Sequence, residues 1–189
     1  MIDTFETYFL CVVHIIDFIK SDNSAKFYST FTNSILPFVK EYNGKLVRTI
    51  NEDTVFYFPD TSNMKRQKAF DNALQCCLAI IYAHTDVNKV LVEDGLPEIS
   101  YNISADYVNL NLRFYKEKSI PFEIFRGAIN FCQRMNKLAP TNCIIVGQDL
   151  HAIFNHLSIK NGFRFQKLPD LHYGNKSSYP VYLVSLEKS

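Results

Sequence analysis

The segment Lys45–Phe58 holds the side chains of this sequence that are best suited to chemistry. Two apolar-rich runs flank the polar triplet Asn51, Glu52 and Asp53. This pattern is typical of a β-hairpin whose tight turn raises carboxylates above the edge of a sheet. Carboxylates at such a turn are good ligands for a cation. Asn and Asp also suit turns for backbone reasons alone, so a plain turn is the alternative interpretation.

A second polar pair lies on a predicted amphipathic helix, Arg126–Leu138. Asn130 and Arg134 are four residues apart, so on a helix they share one face and can reach one ligand together. An ordinary solvated helix arginine is the alternative for Arg134.

Composition predicts one compact domain over residues 1–189, because 47% of the residues are hydrophobic. Twenty Lys and Arg residues against nineteen Asp and Glu residues give a formal net charge of +1. A domain that neutralises many backbone phosphates would be far more basic, so the charge argues against a nucleic-acid partner. A single bound nucleotide is compatible with it.

The cysteines and the N-terminus predict a cytoplasmic protein without a membrane partner. The five cysteines are odd in number and form no Cys-x-x-Cys pair, which indicates buried, reduced thiols. The apolar run Tyr8–Ile19 contains His14 and Asp17, and acidic residues precede it where a secretion signal would be positive. We expect a buried strand there, neither leader nor anchor. No later stretch approaches the roughly 20 apolar residues that cross a bilayer.

Periodicity predicts the elements that must position these side chains. The predicted helices and strands are, in order, a strand at Tyr8–Phe18, a helix at Ser24–Tyr42, the hairpin, a helix at Lys65–Val90, strand structure from Glu98 to Phe114, the helix at Arg126–Leu138, a strand at Cys143–Val146, a short helix to about Leu157, and strands at Phe163–Leu168 and Tyr179–Leu186. Pro37 is expected to bend or end its helix. Asp106 interrupts the alternation of the segment Glu98–Phe114, so this segment is either two strands or one bent strand. The order predicts an α+β fold with a ferredoxin-like βαββαβ core, added C-terminal strands, and helices covering one face of a mixed sheet.

Three motifs resemble, in order and spacing, the class III nucleotide cyclase catalytic domain. They are Val13–Phe18, the hairpin segment Arg48–Glu52 and the helix start Glu123–Arg134. The likeness covers nearly the whole chain, including Ile103–Val108 and Pro180–Tyr182. Its most specific element is Asn130 followed four residues later by Arg134.

The resemblance implies a two-metal site for Mg²⁺ or Mn²⁺. The side-chain ligands fall on His14 and Glu52, and the backbone carbonyl ligand falls on Ile15. In the family the metals activate the ribose 3′-hydroxyl and clamp the triphosphate, and attack on the α-phosphorus expels pyrophosphate. The expected substrate is therefore a nucleoside triphosphate.

The resemblance also assigns nucleotide contacts. Arg48 and Glu123 would read the base edge, Asn130 would orient the ribose, and Arg134 would stabilise charge on the α-phosphate. Family members place the metal ligands on one chain and the Asn and Arg pair on the other. We therefore expect a homodimer, or pairing with a related domain.

The departures from the family pattern fall in the metal site. An imidazole at His14 replaces a carboxylate, and magnesium prefers oxygen ligands; a core histidine is the alternative interpretation. Glu52 replaces aspartate and moves the charge about one methylene outward. Asp17 or Asp53 is a possible substitute, although a one-residue step along a strand reverses the side-chain direction.

Three positions that carry glycine in the family hold larger residues here. They are Asn51, Asp106 and Arg126. Asn tolerates left-handed backbone geometry and Asp does so less well. Arg126 either closes the pocket or binds phosphate.

Two functions follow as hypotheses. The first is a cyclase that converts ATP or GTP to the 3′,5′-cyclic monophosphate and pyrophosphate. The second is a catalytically degenerate domain that serves in nucleotide binding, dimerisation or regulation. A nucleic-acid-binding ferredoxin-like domain is a third, which the near-neutral charge opposes.

Overall fold

The computed structural model describes residues 5–16, 23–111, 122–159, 162–173 and 177–186. Within these ranges the helices are α1 (Ser24–Glu41), α2 (Gln67–Tyr82), α3 (His84–Glu93), α4 (Phe122–Asn136) and α5 (Gln148–His156). The strands are β1 (Phe5–Ile16), β2 (Lys45–Ile50), β3 (Asp53–Phe58), β4 (Ser100–Asn111), β5 (Ile144–Gly147), β6 (Phe163–Lys167), β7 (Leu171–Tyr173), β8 (Ser177–Tyr179) and β9 (Val181–Leu186). A short 3₁₀ helix covers Pro59–Ser62.

The main sheet has seven strands in the order β2-β3-β1-β4-β5-β9-β6. Its first four strands, in the order β2-β3-β1-β4, are antiparallel neighbours, which is the ferredoxin-like arrangement of the βαββαβ core. β5 pairs parallel to β4, and β9 and β6 extend the sheet in antiparallel pairings. The predicted α+β fold with added C-terminal strands is therefore confirmed. A small separate hairpin, β7 with β8, was not predicted.

Helices pack on both faces of this sheet, and the predicted one-sided cover is wrong in that respect. One apolar cluster joins α1, α2, α3 and α5 to one face of the sheet. A second cluster joins Phe125, Ile129, Cys132 and Met135 of α4 to the opposite face, where the strands contribute Leu10, Val12 and other alternate residues. Both faces of the central strands are apolar, so both can be buried.

The structure bears on two expectations about the helices. α1 continues through Pro37 to Glu41, although proline lacks the N–H that the helix would use at that position. The predicted helix Lys65–Val90 is two helices with a break at Ala83. The apolar stripe runs across this break, so periodicity alone does not reveal it.

The strand predictions hold in outline. Ser100–Asn111 is one long strand that contains Asp106, while Leu112 and Phe114 lie outside the described residues. β1 ends at Ile16, and Asp17 and Phe18 also lie outside the described residues.

All five cysteines are free, and all except Cys143 are buried. In the described part of the chain we find no helix with the length and hydropathy to span a bilayer.

Candidate functional site

The predicted acidic hairpin is formed by β2 and β3. Asn51 has a φ of +50°, the left-handed conformation that Asn adopts more readily than most residues. The backbone N–H of Ile15 donates to the carbonyl oxygen of Glu52 at 2.8 Å, which joins the tip of the hairpin to the end of β1. His14 and Ile15 therefore lie beside the hairpin.

The side chain that meets His14 belongs to Asp53. The two residues face each other in the pairing of β1 with β3, and His14 Nδ1 lies 2.8 Å from Asp53 Oδ1. The other oxygen, Asp53 Oδ2, accepts a hydrogen bond from Nε2 of Gln133 on α4. The Asp53 side chain is 7% exposed and that of His14 is 34% exposed. The three residues form a polar cluster between the sheet and α4, here called the His14–Asp53–Gln133 cluster.

Glu52 and Asp53 have different neighbours. Burial raises the pKa of Tyr28 on α1, and the negative charge of Glu52 raises it further. Glu52 belongs to the turn between β2 and β3, whereas Asp53 begins β3 and its carboxylate contacts Gln133 of α4.

The donor set at this end of the sheet does not fit the two-metal site that the resemblance implies. Magnesium needs several hard oxygen ligands with free lone pairs. The carboxylate next to His14 already uses one oxygen for the imidazole and the other for the Gln133 amide. In the ranges that the structure covers, no group of three or more His, Cys, Asp or Glu side chains is arranged to hold a metal ion. The metal assignment of His14, Ile15 and Glu52 stays a prediction.

The three predicted nucleotide contacts of α4 lie along one side of that helix. Glu123, Asn130 and Arg134 are spaced by seven and four residues, so they follow one face over about 16 Å. Glu123 and Asn130 are exposed, and Arg134 is half-buried. Nη2 of Arg134 donates to the carbonyl oxygen of His172 in β7 at 2.6 Å. That contact limits the positions available to the guanidinium.

The predicted base contact Arg48 lies on β2, beside an irregularity in the pairing of β2 with β3. The Arg48 side chain is exposed. Three threonine hydroxyls hold this hairpin against α1: Thr32 and Thr49 are 2.9 Å apart, and Thr49 and Thr54 are 3.2 Å apart. Hence α1 fixes the hairpin from one side and Gln133 fixes it from the other.

Asp106, which occupies a family glycine position, is a buried structural carboxylate. Its Oδ1 accepts from the backbone N–H groups of Tyr107 and Leu150, and its Oδ2 accepts from the Tyr179 hydroxyl at 2.7 Å. Burial raises the pKa of Asp106 to about 6, against the opposing effect of these three hydrogen bonds. A Cβ at Gly147 would clash with the Asp106 carboxylate, so the position of this carboxylate requires glycine at residue 147.

Sequence reasoning missed the role of Gln133 and favoured Glu52 over Asp53. The alternation of side chains along β1 and β3 indicates that Asp53 faces α4. Asp53 is two residues before Val55, which packs against α4, and His14 is two residues after Val12, which does the same. Gln133 is adjacent to Arg134, but no spacing in the sequence indicates its partner.

In sequence, the chain matches no protein-family model and no curated protein. In structure it is similar to several solved nucleotide cyclases. The guanylyl cyclase Cya2 has a TM-score of 0.72 and 12% identity, and the match covers 97% of this chain and 94% of that one. The adenylyl cyclase CyaB from P. aeruginosa has a TM-score of 0.69 and 11% identity, with 100% and 98% coverage. The chain has the fold of a class III nucleotide cyclase catalytic domain.

Other proteins with this cyclase fold have been solved with nucleotide and in different assembly states. The guanylate cyclase domain of RhGC from Catenaria anguillulae, in complex with GTP, has a TM-score of 0.70 and 14% identity, with 97% and 98% coverage. The guanylyl cyclase domain of the RhoGC fusion protein from Blastocladiella emersonii has been solved in a dimeric and in a monomeric form. At these identities the likeness establishes the fold of the present chain.

Proposed function

We propose that this chain is a cyclase-fold domain that binds a nucleoside triphosphate between two copies and does not cyclise it. The observation that carries the proposal is the His14–Asp53–Gln133 cluster. It includes His14, one of the two positions at which the resemblance expects a metal-binding carboxylate, and Asp53, which directly follows the other position, Glu52. The cluster joins α4 to the sheet, and an imidazole and an amide, rather than further carboxylates, are the partners of the Asp53 carboxylate. Magnesium prefers oxygen ligands, so this set favours a structural role over a two-metal site.

Nucleotide binding is supported by the polar side chains on α4 and β2. Arg48 and Arg134 supply positive charge, Glu123 supplies a hydrogen-bond acceptor, and Asn130 supplies both a donor and an acceptor. A guanidinium binds phosphate oxygens through a planar pair of N–H donors, a geometry that lysine lacks. In the proposed dimer, the α4 face of one copy and the hairpin of the other contact the same nucleotide.

Equilibrium binding of ATP and of GTP to the purified chain tests this proposal. We expect both Mg²⁺-containing and EDTA-treated samples to bind nucleotide, because protein side chains supply the contacts. Arg134→Ala is expected to weaken binding about tenfold, or about 1.4 kcal/mol, through loss of a charge-assisted contact. Lys137→Ala, an exposed cation just beyond the end of α4, is the matched control. Absence of binding, or equal losses in the two variants, would overturn the proposal.

An active cyclase is the second candidate, and the position of Asn130 and Arg134 on one face of α4 favours it. Such an enzyme would release cyclic nucleotide and pyrophosphate from ATP or GTP. The two candidates share a binding site and differ in turnover. Product formation, and not affinity, distinguishes them.

A further inference from the structure

Gln133 lies on α4 between the two residues of the proposed nucleotide site, three residues after Asn130 and directly before Arg134. Its amide donates to the buried carboxylate of Asp53 at the base of the hairpin tip. The hydrogen bond therefore joins the helix that carries Asn130 and Arg134 to the strand that begins directly after Glu52.

Asp53 extends this connection to β1. Its second oxygen is 2.8 Å from Nδ1 of His14, and the backbone of the next residue, Ile15, donates to the carbonyl of Glu52. A shift of the hairpin tip or of the end of β1 must therefore either carry Asp53 with it or break a part-buried hydrogen bond to a carboxylate. Such bonds are among the stronger ones in proteins, so a concerted shift is favoured.

The two ends of this connection belong to different nucleotide sites in the proposed dimer. Each copy gives Asn130 and Arg134 to one site, and it gives the hairpin tip and the end of β1 to the other. Within one chain, the Gln133 amide is thus placed between the two sites. We infer that Gln133 is a positioning residue that couples nucleotide binding at the two sites of the dimer.

This inference rests on the proposed function and adds regulation to it. Nucleotide at the first site contacts Asn130 and Arg134 and so restrains the position of α4. The hydrogen bond from Gln133 then restrains Asp53 and the hairpin, which faces the second site. A coupling free energy of ordinary size changes the second affinity roughly fivefold or more. The connection consists of the backbone of α4, the two hydrogen bonds of Asp53 and the backbone hydrogen bond between Ile15 and Glu52.

Isothermal titration calorimetry of the full chain with GTP, and separately with ATP, tests the coupling. For the wild-type dimer we expect two stepwise dissociation constants that differ at least about fivefold beyond the statistical factor. Gln133→Leu removes the donor, and Gln133→Glu keeps the shape but turns a carboxylate toward Asp53. Both variants are expected to bind with two equal, independent affinities. Gln133→Lys restores an N–H donor and is expected to restore the inequality.

Gln67→Leu is the matched control, since Gln67 is an exposed glutamine at the start of α2. Sedimentation of each variant confirms that the dimer persists before its isotherm is compared. A helix that was only destabilised would lower both affinities together and would not be rescued by Gln133→Lys. Equal affinities in the wild type, or unequal affinities retained in both Gln133→Leu and Gln133→Glu, would overturn the inference. Absence of any binding heat in the wild type would instead overturn the proposed function on which it rests.

Discussion

The environment of each carboxylate decides what the site of this chain can do. Asp53 is buried, yet both of its oxygens have partners, His14 on one side and Gln133 on the other. Removing one partner of such a buried group costs more than the hydrogen bond itself is worth, because the remaining charge stays desolvated. The imidazole of His14 is therefore suited to this position as a hydrogen-bond partner of Asp53.

Single-residue features were predictable where local geometry decides them. Asn51 was expected to tolerate the left-handed conformation of a family glycine, and it adopts a φ of +50°. The contacts of Gln133 and Asp106 depend on residues 80 and 44 positions away in the chain. No periodicity or turn rule reports such pairings, so the sequence alone did not predict them.

A pH dependence of stability is expected from Asp106. Its pKa is raised from 3.8 to about 6, so between these values the folded state binds more protons than the unfolded state. The free energy of unfolding must then fall as the pH rises from about 4 to 6, by about 3 kcal/mol in total. Asp106→Asn is expected to lose this part of the slope. Urea unfolding of both proteins at several pH values measures it, and identical slopes would refute the assignment.

At the scale of elements, α4 has the central position. It packs on the face of the sheet opposite the other four described helices, and it carries Glu123, Asn130, Gln133 and Arg134. Its amphipathic pattern predicted a helix with an inward apolar stripe correctly. Periodicity fixes which side of a helix is apolar but not which face of a sheet it covers, so the opposite placement of α4 could not be predicted.

The junction of β5 with α5 depends on the close approach of Gly147 to Asp106. Gly147→Ala would place a Cβ against the carboxylate and is expected to lower the free energy of unfolding by about 2 to 3 kcal/mol. Combining it with Asp106→Ala should cost less than the sum of the two single changes, because the clash is then absent. Guanidinium unfolding of the three variants measures this coupling.

Gly127→Ala on α4 is the control for that comparison. A Cβ at Gly127 meets nothing within 4 Å, and alanine is the better helix former by about 1 kcal/mol. The substitution should raise the stability slightly. Strict additivity of the Gly147 and Asp106 substitutions would show that their contact does not determine the geometry of this junction.

At the scale of the whole molecule, the strand order and the resemblance agree on a cyclase fold. The fold was predictable because the order of the elements was clear in the sequence, and the structure neighbours cover nearly all of the chain. Fold does not establish activity, since the same architecture can lose its chemistry while it keeps its binding surface. The pairing of two copies stays a prediction, and it rests on the resemblance, which implies that the metal ligands come from one copy and the Asn130 and Arg134 pair from the other.

Sedimentation of the purified chain over a range of concentrations tests this pairing. We expect a monomer–dimer equilibrium that nucleotide shifts toward the dimer, because a ligand shared by two copies stabilises their association. Arg134→Ala should reduce the shift without abolishing folding. A strict monomer at high concentration with saturating nucleotide would contradict the shared site.

Product analysis tests the central claim, nucleotide binding without cyclisation, most directly. The purified chain is incubated with ATP or GTP and with Mg²⁺ or Mn²⁺, and mass spectrometry measures the 3′,5′-cyclic monophosphate. Bound nucleotide is measured in the same samples. We predict bound, unconverted triphosphate under all four conditions. Cyclic product that forms with the wild type and disappears in Arg134→Ala would contradict the account and identify the chain as an active cyclase.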